Sequence, residues 1–131
     1  MAQENVEIVQ REYEGVSAQR WGEYGGVYDP DFEADLTDIA MGVVSGVEAS
    51  EETLRGYWET FEDFQVETVE VIHADDEHVV TAVRDGGRLK GSDAEVWNRF
   101  FHVWTFRDGK VLRFSTHTDR NQALKAAGLS E

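Results

Sequence analysis

The hydrophobic positions near the start of the chain follow the spacing of a helix. Val6, Val9, Tyr13 and Val16 are three or four residues apart, so one face of the helix would be apolar. A short second helix is predicted over residues 20–24. Two consecutive glycines follow it directly and would end it.

A third helix is predicted after a loop over residues 38–47. Ser50 fits its N-cap, because the hydroxyl can accept a backbone hydrogen bond and acidic residues follow it. Leu54, Trp58 and Phe61 then recur at helical spacing and mark the buried side of this helix.

The remaining sequence is typical of strands. They are predicted at residues 31–36, 64–74, 78–84, 95–106 and 111–118, with a polar loop at 85–93 and a closing helix after residue 119. Short turns join consecutive strands, which predicts an α+β class with a curved antiparallel sheet, mixed at its edge. Three N-terminal helices on one face would complete a cone-shaped single domain over residues 1–131, with an internal pocket.

The net charge of the chain narrows the classes of molecule that it could bind. The 27 acidic and 12 basic residues give a net charge of -15, which repels nucleic acid and anionic lipid. The chain has no cysteine, no metal-ligand spacing among its four histidines and no nucleotide-binding fingerprint, so neither a metal nor a cofactor is expected. The polar N-terminus does not resemble a signal peptide, and no apolar run is long enough to span a membrane, which predicts a cytoplasmic protein.

Alternation along residues 95–106 places five side chains on one face of the strand: Asn98, Phe100, His102, Trp104 and Phe106. Which residues of the next strand share this face depends on the turn. A two-residue turn at Asp108-Gly109 adds Val111, Arg113, Ser115 and His117. A three-residue turn with a bulge at Gly109 adds instead Leu112, Phe114, Thr116 and Thr118.

Four segments, in order along the chain, resemble the SnoaL-like family of the nuclear transport factor 2-like superfamily. They are ENVEIVQREYEG, DPDFEADL, WETFEDFQVE and FFHVWTFRDGKVLRFSTHTDRNQALKAAGLSE. The resemblance implies a cone-shaped α+β barrel that commonly forms a homodimer through its sheet. It implies no single activity, because relatives include polyketide cyclases, ketosteroid isomerases, epoxide hydrolases and pure binding domains.

The resemblance to the isomerases also implies roles for particular residues. His102 takes the position of an acid that hydrogen-bonds the substrate oxygen, and Tyr13 that of a tyrosine that polarises the substrate carbonyl. Trp104 and Phe114 would line the pocket, which favours the register with the bulge.

The general base of the isomerases falls on Leu36, so this base is missing from its expected place. Asp38 and Asp119 are the alternative bases, and His117 could pair with Asp119. Asp119 is equally explained as the N-cap of the closing helix, in a capping box with Gln122.

Two hypotheses remain open from the sequence. The first is cofactor-free acid/base catalysis (cyclase, isomerase or hydrolase-like) on an apolar carbonyl-bearing or cyclic compound. The second is a ligand-binding or dimerisation domain of the same fold without catalysis. In the first, the catalytic residues are His102, Tyr13, Asp119 and Asp38. The ligand would contact the side chains of Trp104, Phe100, Phe114, Asn98 and Trp58.

Overall fold

The computed structural model describes residues 2–129 and has three α-helices and six strands over this range. The helices are α1 (Ala2–Ser17), α2 (Val47–Trp58) and α3 (Arg120–Ala126), and a single 3-10 turn spans Thr37–Ile39. The strands are β1 (Tyr28–Leu36), β2 (Gly42–Ser45), β3 (Gln65–Ala74), β4 (His78–Arg88), β5 (Glu95–Arg107) and β6 (Lys110–His117). The predicted α+β class is confirmed.

The strands form one curved, open sheet in the order β2-β1-β6-β5-β4-β3. Strand β1 runs parallel to β6 and the other neighbouring strands are antiparallel, which confirms the mixed edge. Helices α1 and α2 pack on what we call the inner face, and α3 packs on the outer face. The main hydrophobic core and the candidate site therefore lie between the inner face and the first two helices.

The predicted helix at residues 20–24 is wrong, since the chain between α1 and β1 forms turns. Gly22, Gly25 and Gly26 have positive φ angles of 88°, 63° and 71°, a region that continues no right-handed helix. Trp21 is held instead by Trp58, whose ring centroid is 5.6 Å away. Two helices, not three, therefore precede the long strands of the sheet.

The start of α2 also differs from the prediction. Residues 38–47 are not all loop, because they include β2, which pairs Gly42 with Leu36 of β1. The helix begins at Val47 with Gly46 as its N-cap, so Ser50 lies within the helix. Its buried hydroxyl donates to the Gly46 carbonyl at 2.7 Å, a bond to the preceding turn that excludes a capping role.

Strand β4 continues to Arg88, through the first part of the predicted loop at residues 85–93. Its glycines mark close approach of two strands rather than a turn. A Cβ at Gly86 would stand 1.9 Å from the carbonyl oxygen of Val96 on β5. The absence of a side chain at this position therefore allows Asp85 to stay in the sheet, opposite Asn98.

The β5–β6 hairpin combines features of both predicted turns. Asp108 and Gly109 form a two-residue turn with φ angles of 52° and 79°, the left-handed conformations that a tight hairpin needs. The bulge lies beyond the turn, at Leu112, rather than at Gly109. Trp104 is consequently opposite Phe114 and His102 opposite Thr116, as the second register predicts.

Candidate functional site

A cavity of about 570 Å³ lies between the inner face of the sheet and helices α1 and α2. This volume is within the range of small-molecule sites. Many aromatic side chains line the cavity, including Phe32, Phe64, Phe100, Phe114, Trp58 and Trp104. Four of the predicted ligand-contacting residues thus line one cavity, while the fifth, Asn98, hydrogen-bonds a lining tyrosine.

One cluster of polar side chains in this cavity is centred on the hydroxyl of Tyr13. It lies 2.7 Å from Nδ1 of His102 and 2.8 Å from Oγ1 of Thr81, and it accepts a hydrogen bond of 3.0 Å from Nε1 of Trp104. All four side chains are buried. Alternation along β5 and helical spacing along α1 bring Tyr13, His102 and Trp104 together on the inner face, as the sequence predicts.

His102 is a neutral imidazole at pH 7. Burial, with a smaller contribution from the charge of His117, lowers the pKa of His102 to about 3. Burial also raises the pKa of Tyr13, so its hydroxyl stays protonated and can donate to Nδ1. The proton of the imidazole is then on Nε2, which hydrogen-bonds no other residue of the 2–129 range and can donate into the cavity.

A second cluster of polar side chains, which the sequence does not predict, contains Asp85. Asp85 is only 5% exposed and lines the cavity. Tyr57 donates to its Oδ1 at 2.6 Å, and Asn98 in turn donates to the Tyr57 oxygen at 2.9 Å. Burial raises the pKa of Asp85 to about 6, against the lowering effect of the Tyr57 hydrogen bond. Such a carboxylate has the basicity of a general base at neutral pH.

The glycines that follow Asp85 favour a polar loop at this position in the sequence. Alternation was the signal that could have found it, since Asp85 is two residues beyond Val83 and four beyond Thr81 on the same strand. Continuing the strand by one residue places the carboxylate on the inner face, opposite Asn98.

Two further carboxylates line the cavity near the turns at residues 20–27. Glu12 accepts a hydrogen bond of 2.6 Å from Tyr28, and Glu51 accepts one of 3.0 Å from Tyr24. Burial raises the pKa of Glu12. The bond from Tyr28 opposes this shift, the nearby charge of Glu51 adds to it, and the charge of Arg11 has a smaller lowering effect. Glu51 also accepts the backbone N–H of Gly22 at 3.0 Å, which fastens the turns to α2.

The two other predicted bases lie outside the cavity. The carboxylate of Asp38 is 2.7 Å from Nδ1 of His117, whose Nε2 is 2.8 Å from the Ser115 hydroxyl on the outer face of the sheet. The bulge at Leu112 turns this set of β6 residues away from His102.

Asp119 is the N-cap of α3 and accepts the backbone N–H of Asn121 at 2.7 Å, which confirms its structural role. His117 therefore has Asp38, not Asp119, as its acidic partner. Leu36, at the family's position for the base, is fully buried in the apolar core.

Helices long and apolar enough to cross a membrane do not occur in residues 2–129. Over the same part of the chain, no three histidine, aspartate or glutamate side chains converge as metal ligands would.

Solved structures with the same architecture have low sequence identity to this chain. Bal32a, from a soil-derived mobile gene cassette, is 20% identical with a TM-score of 0.73, covering 88% of this chain and 89% of that one. A protein with a ketosteroid isomerase-like fold from Catenulispora acidiphila, in complex with trimethylamine, is 18% identical with a TM-score of 0.71, covering 94% and 93%. An LEH-like epoxide hydrolase from M. tuberculosis is 15% identical with a TM-score of 0.70, covering 95% and 89%.

At these identities, the likenesses show a common fold. No curated protein sequence matches the chain. The family model of the SnoaL-like domain matches residues 9–114, from the middle of α1 to Phe114 on β6. The chain therefore belongs to the SnoaL-like domain family and has the nuclear transport factor 2-like fold.

Proposed function

We propose that this protein is a cofactor-free acid/base enzyme that acts on an apolar, carbonyl-bearing small molecule. One observation carries the proposal: a buried carboxylate with a pKa of about 6, Asp85, and a buried neutral imidazole, His102, line the same aromatic cavity. Groups with complementary proton-transfer roles in one largely apolar site are typical of enzymes.

His102 serves as the hydrogen-bond donor to the substrate. Its Nε2–H binds the carbonyl oxygen, while Tyr13 holds the ring through Nδ1 and fixes the tautomer. The negative charge that develops on the carbonyl oxygen is stabilised by this oriented donor in a cavity of low polarity. Tyr13 is therefore a positioning residue, because its hydroxyl acts through the imidazole.

Asp85 serves as the base. Its Oδ2 removes a proton from the carbon next to the carbonyl, the C–H electron pair becomes the enolate double bond, and the carbonyl pair moves to the oxygen. In a β,γ-unsaturated ketone the enolate is conjugated with the double bond, and return of the proton from Asp85 to the γ carbon gives isomerisation. In a substrate with a second carbonyl, attack of the enolate carbon on that carbonyl forms a C–C bond, and the proton held by Asp85 passes to the new alkoxide, which gives cyclisation. Tyr57 keeps Oδ1 occupied, which leaves Oδ2 for the substrate.

Hydrogen exchange into 1-tetralone in D2O tests this proposal. We expect deuterium at the carbon next to the carbonyl faster than in buffer, and a loss of about 10²-fold or more in Asp85→Asn. Asp93→Asn, in an exposed loop, is the control that removes one carboxylate elsewhere. Exchange at the buffer rate, or equal exchange by Asp85→Asn and wild type, would refute the proposed base.

A ligand-binding domain without catalysis is the second candidate. It is favoured by the Tyr13 hydroxyl, whose three neighbours within the protein satisfy it before any ligand enters. Quenching of tryptophan fluorescence by 1-tetralone without isotope exchange would support this function, because Trp21, Trp58 and Trp104 line the cavity.

We also propose a homodimer formed through the outer face of the sheet. Trp97 on β5 is 36% exposed, and the guanidinium carbon of Arg84 lies 4.0 Å from its ring centroid. A tryptophan beside an arginine is a combination enriched at protein interfaces. A cytoplasmic location and the absence of nucleic-acid partners stay predictions from the sequence.

A further inference from the structure

We propose that the ligand of this cavity carries a positively charged nitrogen on its apolar skeleton, and that Glu12 and Glu51 recognise this charge. The inference rests on the proposed function, because it concerns the ligand of the same cavity. It assigns an orientation to that ligand: the carbonyl lies at His102 and the cation lies toward the turns at residues 20–27.

More acidic than basic side chains line the cavity. Two guanidinium groups, Arg11 and Arg20, face four carboxylates: Glu12, Glu23, Glu51 and Asp85. Both arginines are exposed, whereas Asp85 is buried and Glu12 and Glu51 are half-buried. An anionic ligand would add a like charge to this cavity, so the class of carboxylate and phosphate ligands is disfavoured.

The carboxylates of Asp85 and Glu12 can each accept a further hydrogen bond from a ligand. Each accepts one side-chain hydrogen bond, from Tyr57 and Tyr28 respectively, and within residues 2–129 the second oxygen of each carboxylate accepts no other hydrogen bond. Asp85 is more than nine-tenths buried and its side chain lines the cavity. Asp85 faces the carbonyl end, whereas at the other end a neutral occupant would displace water from the Glu12 carboxylate without replacing its hydrogen bonds, which costs free energy. A cation offsets this cost.

The carboxylates at the Glu12 end are close enough to influence each other, because the charge of Glu51 contributes to the raised pKa of Glu12. Two anions that repel one another in a partly buried site are both stabilised by one positive charge placed near them. Tyr28 and Tyr24 each donate to one of these carboxylates, so their hydroxyls fix the two acids along the cavity wall.

Aromatic rings surround the same end. The ring of Tyr28 is 5.9 Å from that of Tyr24 and 4.8 Å from that of Phe32, and Trp21 lines the cavity beside them. Ring faces attract alkylammonium groups. The protein itself places a cation in this region, since the Arg55 guanidinium lies 4.8 Å from the Trp21 ring centroid.

The expected position of the carbonyl follows from α1. Glu12 and Tyr13 are consecutive on this helix and both line the cavity. Their side chains diverge by about 100° around the helix axis. Tyr13 contacts His102 and Glu12 contacts Tyr28. One ligand that lies along α1 can therefore reach both ends of the cavity.

Two probes of matched shape test the inference: benzyltrimethylammonium, and neopentylbenzene, in which carbon replaces the charged nitrogen. Binding is followed by tryptophan fluorescence in about 0.15 M and about 0.5 M salt, because salt screens the general attraction of an acidic protein for cations. We expect the cation to bind about tenfold more tightly than its neutral counterpart, with most of this preference retained at the higher salt.

Glu12→Gln is expected to reduce the affinity for benzyltrimethylammonium about tenfold and to leave the affinity for neopentylbenzene unchanged. Asp93→Asn removes the same charge from an exposed loop and is expected to change neither affinity. Glu51→Gln is a second variant that is used if Glu12→Gln does not fold, as judged by circular dichroism.

Equal affinities for the two probes, or equal effects of Glu12→Gln and Asp93→Asn, would overturn the inference. Binding of neopentylbenzene alone would overturn it while leaving the cavity as a ligand site. If neither probe binds, the inference fails, and the exchange into 1-tetralone decides separately whether the proposed function fails with it.

Discussion

The Tyr13 hydroxyl of α1 lies 2.7 Å from Nδ1 of His102 on β5, so a helix residue orients a sheet residue at the floor of the cavity. Because the same oxygen contacts Thr81 and Trp104, it joins one helix to two strands. The two positions are 89 residues apart in sequence, so only the folded chain can form this contact.

Removal of this hydroxyl is expected to destabilise the fold. Tyr13→Phe leaves the polar atoms of His102, Thr81 and Trp104 buried without their common partner, at a cost of about 1–3 kcal/mol in the free energy of unfolding. Urea unfolding measures this loss. Tyr24→Phe is the matched control, since its hydroxyl is bonded to the more accessible Glu51, and a similar loss in both variants would contradict the argument.

Asp85 and His102 are expected to have opposite effects on the pH dependence of stability. Asp85 has a usual pKa of 3.8 and a folded pKa of about 6, so between these values the folded state holds one more proton and rising pH destabilises it. His102 has a usual pKa of 6.5 and a folded pKa of about 3, so over that interval the unfolded state holds the extra proton and rising pH stabilises the fold.

Asp85→Asn removes the first of these two effects. Between pH 4 and 6, the free energy of unfolding of this variant should rise with pH more steeply than that of wild type, by about 1.4 kcal/mol per pH unit. Urea unfolding at several pH values measures the difference. Asp93→Asn should keep the wild-type slope, and parallel curves for Asp85→Asn and wild type would show that Asp85 titrates normally.

Asp119 is expected to matter for stability and not for chemistry. Asp119→Ala removes the side-chain cap of α3, which should cost about 1 kcal/mol in the free energy of unfolding. Exchange into 1-tetralone should keep its wild-type rate in the folded variant. A loss of exchange in a variant that remains folded would return Asp119 to the catalytic residues.

Sedimentation velocity tests the proposed homodimer. The chain has a mass of 14.9 kDa, so a dimer has twice that mass, 29.8 kDa. Trp97→Glu should shift the mass toward the monomer, because it places a charge at the outer-face interface. Val43→Glu, at an exposed position on the edge strand β2, should not. A monomeric wild type at micromolar concentration would exclude the dimer.

Periodic patterns in the sequence predict the parts of the site that depend on single elements. Alternation along β5 correctly groups His102 with Trp104, and helical spacing places Tyr13 on the buried side of α1. These predictions succeed because each depends on the geometry of one regular element.

Asp85 and the bulge were harder to predict because both depend on pairing between strands. The glycine after Asp85 resembles a loop signal until Val96 is known to lie against it. Similarly, an additional residue at Leu112 leaves no mark in the pattern of hydrophobic and polar positions, although it decides which side of β6 faces the cavity. The resemblance to a family favoured the correct register of the β5–β6 hairpin, whereas the residues alone were compatible with two registers.

Gly86 limits how this cavity can be redesigned. Its backbone has a φ of 143°, and any larger residue would drive a Cβ into the Val96 carbonyl. The position next to the candidate base is therefore closed to substitution, and libraries that vary residue 86 should yield mostly unfolded proteins. Variation at residues 20, 21, 23 and 24, which line the cavity from turns outside the sheet, offers the productive route to altered ligand preference.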